Sequence, residues 1–328
     1  MSYADKVFVK MCEDILNHGT STEGEKVRPK WPDGAYAYTM KNFCVVNRYD
    51  LSKEFPAITL RKVPIKSCTD ELLWIWSKKS NKVKDLNSGV WDEWVDDEGT
   101  IGKAYGYQMK VLHKFSDVTE DGLLYAFGDG SFEDISEYCR MFYPKKGSYK
   151  CFMGFRDKIK DKYVWSMDQV NKVIYDLKNT PYSRRIITTL YNMRDLHAMN
   201  LYPCAYSMTF NVTKGKDGNL VLNGILNQRS QDILAANAWN VCQYSVLLHM
   251  IARECNMNVG EFVHVIADAH IYDRHIPIIE ELIKREQFEA PTFNLNPEKH
   301  CFYDFTKDDV SLTNYQFGTP IKDIPIAV

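Results

Sequence analysis

The chain of 328 residues carries 41 Lys and Arg against 43 Asp and Glu, a formal net charge of −2, with 45% hydrophobic and 26% charged residues, 17 Gly and 12 Pro. That composition excludes disorder, collagen-like repeats and a low-complexity tail, while the length suits two average domains or one large mixed one. A nearly neutral chain has no overall electrostatic drive towards nucleic acid or an anionic membrane, so any anion must be held by a local cluster.

The opening stretch, MSYADKVFVKMCEDILNHG, breaks every short apolar run with a charge, unlike a signal peptide. No window approaches the roughly 18 uninterrupted apolar residues of a membrane span, so the chain reads as cytoplasmic, with no membrane partner. Helical periodicity predicts helices over 3–17, 68–80, 168–178, 239–255 and 277–285. Strand-like runs fall at 44–49, 205–212, 220–227 and 261–267, and the turn-rich KGKDGN at 214–219 joins two of them as a hairpin. Helices and strands mix without a regular βαβ rhythm, which favours an α+β fold. From 112 to 164, aromatics lie among many charges with GDGS at 128–131, and this stretch reads as an insertion in a single domain spanning 1–328. Its interleaved Asp and Glu would repel a nucleic-acid backbone, so nucleic acid is not an expected partner.

The nine cysteines are odd in number, scattered and never spaced CxxC, so neither a disulfide framework nor a zinc site is suggested. Most are expected to be small buried thiols. Cys204 by itself reads as another buried thiol, a lone cysteine being a weak signal, but Pro203 cannot donate to a ladder, which puts it at the mouth of the following strand, where a nucleophile can be exposed. Basic clusters stand out in the neutral chain: Ser183-Arg184-Arg185, and Gln228-Arg229-Ser230-Gln231-Asp232 after a strand, both with donors suited to a phosphate. A nearby arginine would also stabilise a thiolate and lower its pKa. Glu71, set among Leu72, Leu73 and Trp74, would have a raised pKa if buried, as relayed proton transfer requires. In Asp268-Ala-His270-Ile-Tyr272-Asp-Arg-His275 the residue types of a metal site are present. Along an extended segment, however, His270 and Tyr272 share a face better suited to a sugar hydroxyl, and no metal is assigned.

The motifs DELLW, WDEW, AYGYQ, SRRII, PCAY with QRSQD, and DAHIYDRH, in this order, closely resemble the thymidylate synthase family from about Arg28 to Val328, the insertion apart. The resemblance implies a homodimer in which mixed β-sheets with flanking helices pack back to back and each active site borrows arginines from the other subunit. It implies reductive methylation of dUMP by 5,10-methylenetetrahydrofolate, giving dTMP and dihydrofolate with no flavin, nicotinamide or metal. Cys204 then matches the nucleophile that adds to carbon 6 of uracil, and Arg229 the arginine between thiol and phosphate. Phosphate binding carries over to Arg28, Arg229 and Ser230 of one chain and to Arg184 and Arg185 of its partner. Asn240 matches the asparagine facing the uracil edge, and His270 and Tyr272 the residues holding the deoxyribose hydroxyl. Glu71 matches the acid that orders water for proton relay, and Tyr105 belongs with removal of the carbon 5 proton.

For the folate, Asp232 matches the pterin-binding carboxylate, Trp91, Trp94 and Leu201 its packing walls, and Arg61 and Lys62 the polyglutamate site. The closing IPIAV resembles a C-terminal latch whose carboxylate, on Val328, seals the site. Three departures from the family pattern stand out: Ala205 where many relatives have histidine, Ala236 and Ala238 where the family has glycine and proline, and the insertion. The alternative is a deoxyuridylate hydroxymethylase of the same superfamily, in which water rather than hydride quenches the methylene intermediate. A cytidylate-specific form would carry aspartate in place of Asn240. A nucleotide or RNA binder that has lost catalysis is a further, weaker reading, since the chemistry-bearing residues are all present.

Overall fold

A computed structural model describes residues 1–110 and 169–328, so the expected insertion at 112–164, with its GDGS stretch, lies outside the described residues. A seven-stranded mixed sheet organises the chain. It runs in the order β1 (Thr20–Ser21), β2 (Thr39–Asp50), β7 (Asn258–Tyr272), β5 (Leu220–Gln228), β4 (Ala205–Lys214), β3 (Ile187–Thr189), with β6 (Gln231–Asp232) also pairing with β7. β4 and β5 are the antiparallel hairpin expected around the 214–219 turn. β5 and β7 are parallel, as a helix between them allows, while β2 pairs antiparallel with β7 over its whole length.

Helices cover one face. α1 (Tyr3–His18) starts under the cap of Ser2, whose Oγ accepts the Ala4 N–H, and lies against β2. α2 (Ile65–Trp76) packs on α5 (Ala238–Glu254), which lies on β5 and β7. α5 is buried on nearly every side, and Gly224 makes room for it: a Cβ there would stand 2.4 Å from Met208 and 2.7 Å from Leu248. The shorter helices are α3 (Gly106–Lys110), α4 (Gln169–Asn179) and α6 (Ile276–Leu282). A small hairpin of β8 (Thr292–Leu295) and β9 (Val310–Thr313) packs nearby.

Alternation decides which side chains face the helices. Met208, Phe210 and Val212 of β4, Leu222 and Leu226 of β5, and Phe262 and Ile266 of β7 are buried beneath them. The other face carries a row of paired residues, Ile187 to Thr209 to Ile225, and leaves Ile187, Ile225 and Val46 exposed. Two strands run five residues further at one end than their apolar patterns predict. β7 continues through Asp268, His270 and Tyr272, and β2 begins at Thr39, because these polar ends pair with each other (Thr39 with Tyr272, Lys41 with His270). α2 begins three residues before the expected 68 and ends four before the expected 80, where the chain turns through Lys79 at φ 51°.

Candidate active site

Cys204 sits at the mouth of β4, directly before a bulge that shifts the register with β5 between Ala205 and Ser207. Arg229, just past the end of β5, clasps this corner. Its Nε donates to Pro203 O at 3.1 Å, its Nη2 donates to Tyr202 O at 2.7 Å and to Cys204 Sγ at 3.5 Å, and its backbone N–H bonds Cys204 O at 3.0 Å. From the other side, Cys204 N–H donates to the Tyr105 hydroxyl at 3.0 Å. Tyr105 holds φ 43°, and a Cβ on the following Gly106 would lie 2.0 Å from Ser80 O, so the AYG segment can approach this closely only with glycine.

The sequence reading expects positive charge to depress the thiol pKa. Burial instead pushes the Cys204 thiol above its ordinary value, while Arg229 first, then the Tyr105 hydroxyl and Arg28, pull it down. In the isolated chain desolvation is the larger effect. Arg28 is exposed and near enough to act on both Cys204 and Tyr272, whereas Ser230 is half-buried between β5 and β6.

Glu71 on α2 is buried and accepts three hydrogen bonds: from Trp91 Nε1 at 2.7 Å, Trp239 Nε1 at 2.5 Å and Gln243 Nε2 at 3.1 Å. Burial still raises its pKa against those three donors, as the sequence reading expects. Trp91 meets Tyr105 edge-on at 4.9 Å and Trp94 at 5.7 Å, and Trp94 and Leu201 are partly exposed against the core. Asn240 opens α5. Its Nδ2 donates to Gln243 Oε1 at 3.2 Å, and its Oδ1 accepts from Gln228 Nε2 at 3.4 Å.

Asp232 caps the π-helical turn Ile233–Asn237, the segment holding Ala236, by accepting the Ala235 N–H at 3.0 Å. Burial raises its pKa, but His275, at 3.5 Å from Asp232 Oδ1, and the charge of His270 outweigh burial and hold the carboxyl below its ordinary value. His275 is raised in turn: burial lowers it, and the Asp232 bond and charge more than compensate. Its Nε2 donates to Pro325 O at 2.8 Å, which ties the C-terminal segment to the site. That segment also bonds the irregular stretch that holds Arg28: Lys30 N–H donates to Val328 O at 2.9 Å, and Val328 N–H to Lys30 O at 3.0 Å.

His270 bonds Asp268 through Nδ1 at 2.9 Å, Lys41 donates to the same carboxylate at 2.7 Å, and the Tyr272 ring stands 5.0 Å from that of His270. Burial pushes the Tyr272 hydroxyl up to about 12, so it stays protonated and able to donate.

Cys204, Arg229, Ser230, Tyr105, Glu71, Trp91, Asn240, Asp232, His270, Tyr272 and Arg28 therefore gather at one end of the sheet. Arg61 lies partly buried near Asp232 with its Nη2 given to Leu234 O at 2.7 Å, while Lys62 is exposed with its Nζ 5.5 Å from the Phe317 ring. Arg184 and Arg185 do not join the cluster. Ile187 pairs with Thr209, about five residues along β4 from Cys204, or roughly 17 Å at about 3.3 Å per residue, and the two arginines lie further still. Sequence reasoning missed Trp239 and Gln243 as partners of Glu71. The signal for Gln243 was a polar residue one turn from Asn240 on a largely buried stretch of helix, whereas nothing local pointed to Trp239. Gln228, Lys41 and the link from His275 to Asp232 were missed as well.

A half-buried thiol at a strand mouth, clasped by an arginine beside a buried carboxylate and an amide, is the set of groups that cysteine-nucleophile enzymes use. The thymidylate synthase family model matches residues 6–328. Thymidylate synthases of Bacillus subtilis subsp. natto and of Bacillus phage phi3T are each 38% identical over 322 residues, covering 97% of this chain and 97% of the relative. The thermostable thymidylate synthase A from Bacillus subtilis has a similar structure, with a TM-score of 0.78 at 36% identity over the whole of both chains. The chain belongs to the thymidylate synthase family.

Proposed function

We propose that this site makes dTMP from dUMP, with Cys204 as the nucleophile and 5,10-methylenetetrahydrofolate as cosubstrate. Family membership makes the activity that of a thymidylate synthase, a folate-dependent methyltransferase of dTMP biosynthesis. The observation that carries the residue assignment is the Arg229 clasp, which leaves Sγ at the strand mouth within 3.5 Å of a guanidinium.

Arg229, Ser230 and Arg28 hold the dUMP phosphate, and His270 with Tyr272 hold the sugar hydroxyl. Asn240 accepts the uracil N3–H and donates to O4. The Cys204 thiolate forms a bond to C6, and the C5–C6 π pair moves towards C4 so that charge gathers on O4. Arg229 counters the thiolate charge, and Glu71, its pKa raised by burial, delivers a proton towards O4 through ordered water. Tyr105, whose hydroxyl already touches the cysteine backbone, organises loss of the C5 proton.

The folate supplies the one-carbon unit and the hydride. The residues present fit it: Asp232 is an ionised, largely buried acceptor for pterin N–H groups, and Trp91, Trp94 and Leu201 give partly exposed apolar walls. Arg61 and Lys62 lie where a polyanionic tail would run, and the Val328 carboxylate closes over the site from the Lys30 edge.

The active form is a homodimer in which Arg184 and Arg185 serve the partner's phosphate site, a reading supported by their distance from Cys204 in their own chain and by the exposed apolar side chains Ile187, Ile225 and Val46 on the outer sheet face. We read the chain as one cytoplasmic domain; among the described residues no helix is long and apolar enough to cross a membrane.

Replacing Cys204 with Ser tests the assignment. Turnover is expected to fall at least about a thousandfold while dUMP binding persists, and normal turnover would remove the mechanism. Product chromatography separates methylation from water capture: dTMP with dihydrofolate supports the proposal, and hydroxymethyl-dUMP with tetrahydrofolate overturns it.

A further inference from the structure

Five side chains beneath the site form one directed hydrogen-bond chain, from His264 through Gln228, Asn240 and Gln243 to Glu71. Glu71 fixes its direction. Each carboxylate oxygen accepts from an indole N–H, which can only donate, so Gln243 turns its Nε2 to Oε2 and offers its Oε1 to Asn240. Asn240 must then turn its Nδ2 to Gln243 and its Oδ1 to Gln228. At the far end, Gln228 Oε1 meets His264 Nε2, and His264 is fully buried with no partner at Nδ1. Gln228 and Gln243 are also buried, and of the three amides Asn240 alone is partly exposed towards the site.

A primary amide is nearly symmetrical in shape, and rotating it by half a turn exchanges donor and acceptor. A free asparagine could therefore match either a uracil edge, with N3–H and O4, or a cytosine edge, with N3 and an amino group. A turned Asn240 would set its carbonyl against that of Gln243 and its NH2 against that of Gln228. Relief would require both glutamines to turn as well. The His264 end could follow by moving its proton to Nδ1, but with Glu71 ionised the other end could not, because the Gln243 carbonyl would then face a buried carboxylate that three donors now satisfy.

Resting on the reading of Asn240 as the base-contacting residue, we propose that Gln243 is a positioning residue for pyrimidine specificity: it ties Asn240 to Glu71 in the one amide orientation that accepts uracil and rejects cytosine. Cytosine exclusion is then a property of the chain of amides and its carboxylate end, not of Asn240 by itself.

The test is calorimetric titration of the full chain with dUMP and with dCMP, comparing the wild type with Gln243→Leu and with the unbranched Gln243→Met, which keeps the proposal testable should the leucine variant fail to fold. The ratio of dUMP to dCMP affinity is expected to fall at least about tenfold, through loss of dUMP affinity and gain of dCMP affinity. A merely structural role would weaken both nucleotides by the same factor, and an unchanged ratio in a folded variant overturns the proposal. Equal binding of the two nucleotides by the wild-type chain would instead overturn the reading of Asn240 itself, and the proposal with it.

Discussion

Glu71 shows how one side chain's surroundings set its chemistry. Burial favours its neutral form, and the two indoles and the Gln243 amide favour the ionised one. Replacing it with Gln keeps the shape but turns an N–H group towards donors, so a stability loss of about 1–3 kcal/mol is expected in chemical denaturation. Turnover should fall about 10²- to 10⁴-fold with dUMP affinity little changed, and a variant with normal kcat would exclude Glu71 from the proton relay. The pairing of Asp232 with His275 gives a pH signature. The lowered Asp232 pKa contributes stability above its unfolded value of about 3.9, lost as pH falls through the folded one, and the raised His275 pKa contributes below about 6.5, lost as pH rises through the folded one. The pair is therefore strongest between about pH 4 and 6.5. Melting temperatures measured above that window should decline more steeply for the wild type than for His275→Gln; parallel curves would show that the pair adds nothing.

At the level of elements, much of the fold was legible because alternation along β4 and β5 and helical spacing in α1 and α5 report burial directly. Strand ends were not, because Asp268, His270 and Tyr272 are polar residues placed in the sheet for the site rather than for the core. The site followed the same division. Cys204, Arg229, Asn240 and Glu71 lie in recognisable motifs, whereas the bonds from Trp91 and Trp239 to Glu71 join residues 20 and 168 positions apart, and no local pattern reports such a pairing. The Tyr105-Gly106 corner offers an elemental test. Gly106→Ala would drive a methyl group into the Ser80 backbone and move the tyrosine that bonds Cys204 N–H. A loss of about 1–3 kcal/mol in stability, with reduced turnover, is expected from denaturation and steady-state assays, and a variant unchanged in both would show that the corner relaxes freely.

Across the whole molecule, the sheet has one face under helices and another on which Ile187, Ile225 and Val46 remain exposed. Exposed apolar side chains on that face, in a chain whose Arg184 and Arg185 lie far from their own thiol, fit pairing of two such faces. Ile225→Asp is expected to shift sedimentation towards monomer and to lower activity with it, and an active monomer would contradict shared sites. Mixing an Arg184→Ala chain with a Cys204→Ser chain should restore part of the activity through hybrid dimers, and no regain after confirmed subunit exchange would count against the borrowed arginines. The central claim, a transient bond from Cys204 to the pyrimidine, is met most directly by intact-mass spectrometry after incubation with 5-fluoro-dUMP and 5,10-methylenetetrahydrofolate. The wild-type chain should gain the combined mass of both ligands and the Cys204→Ser chain none; an unchanged wild-type mass at full ligand occupancy would contradict it.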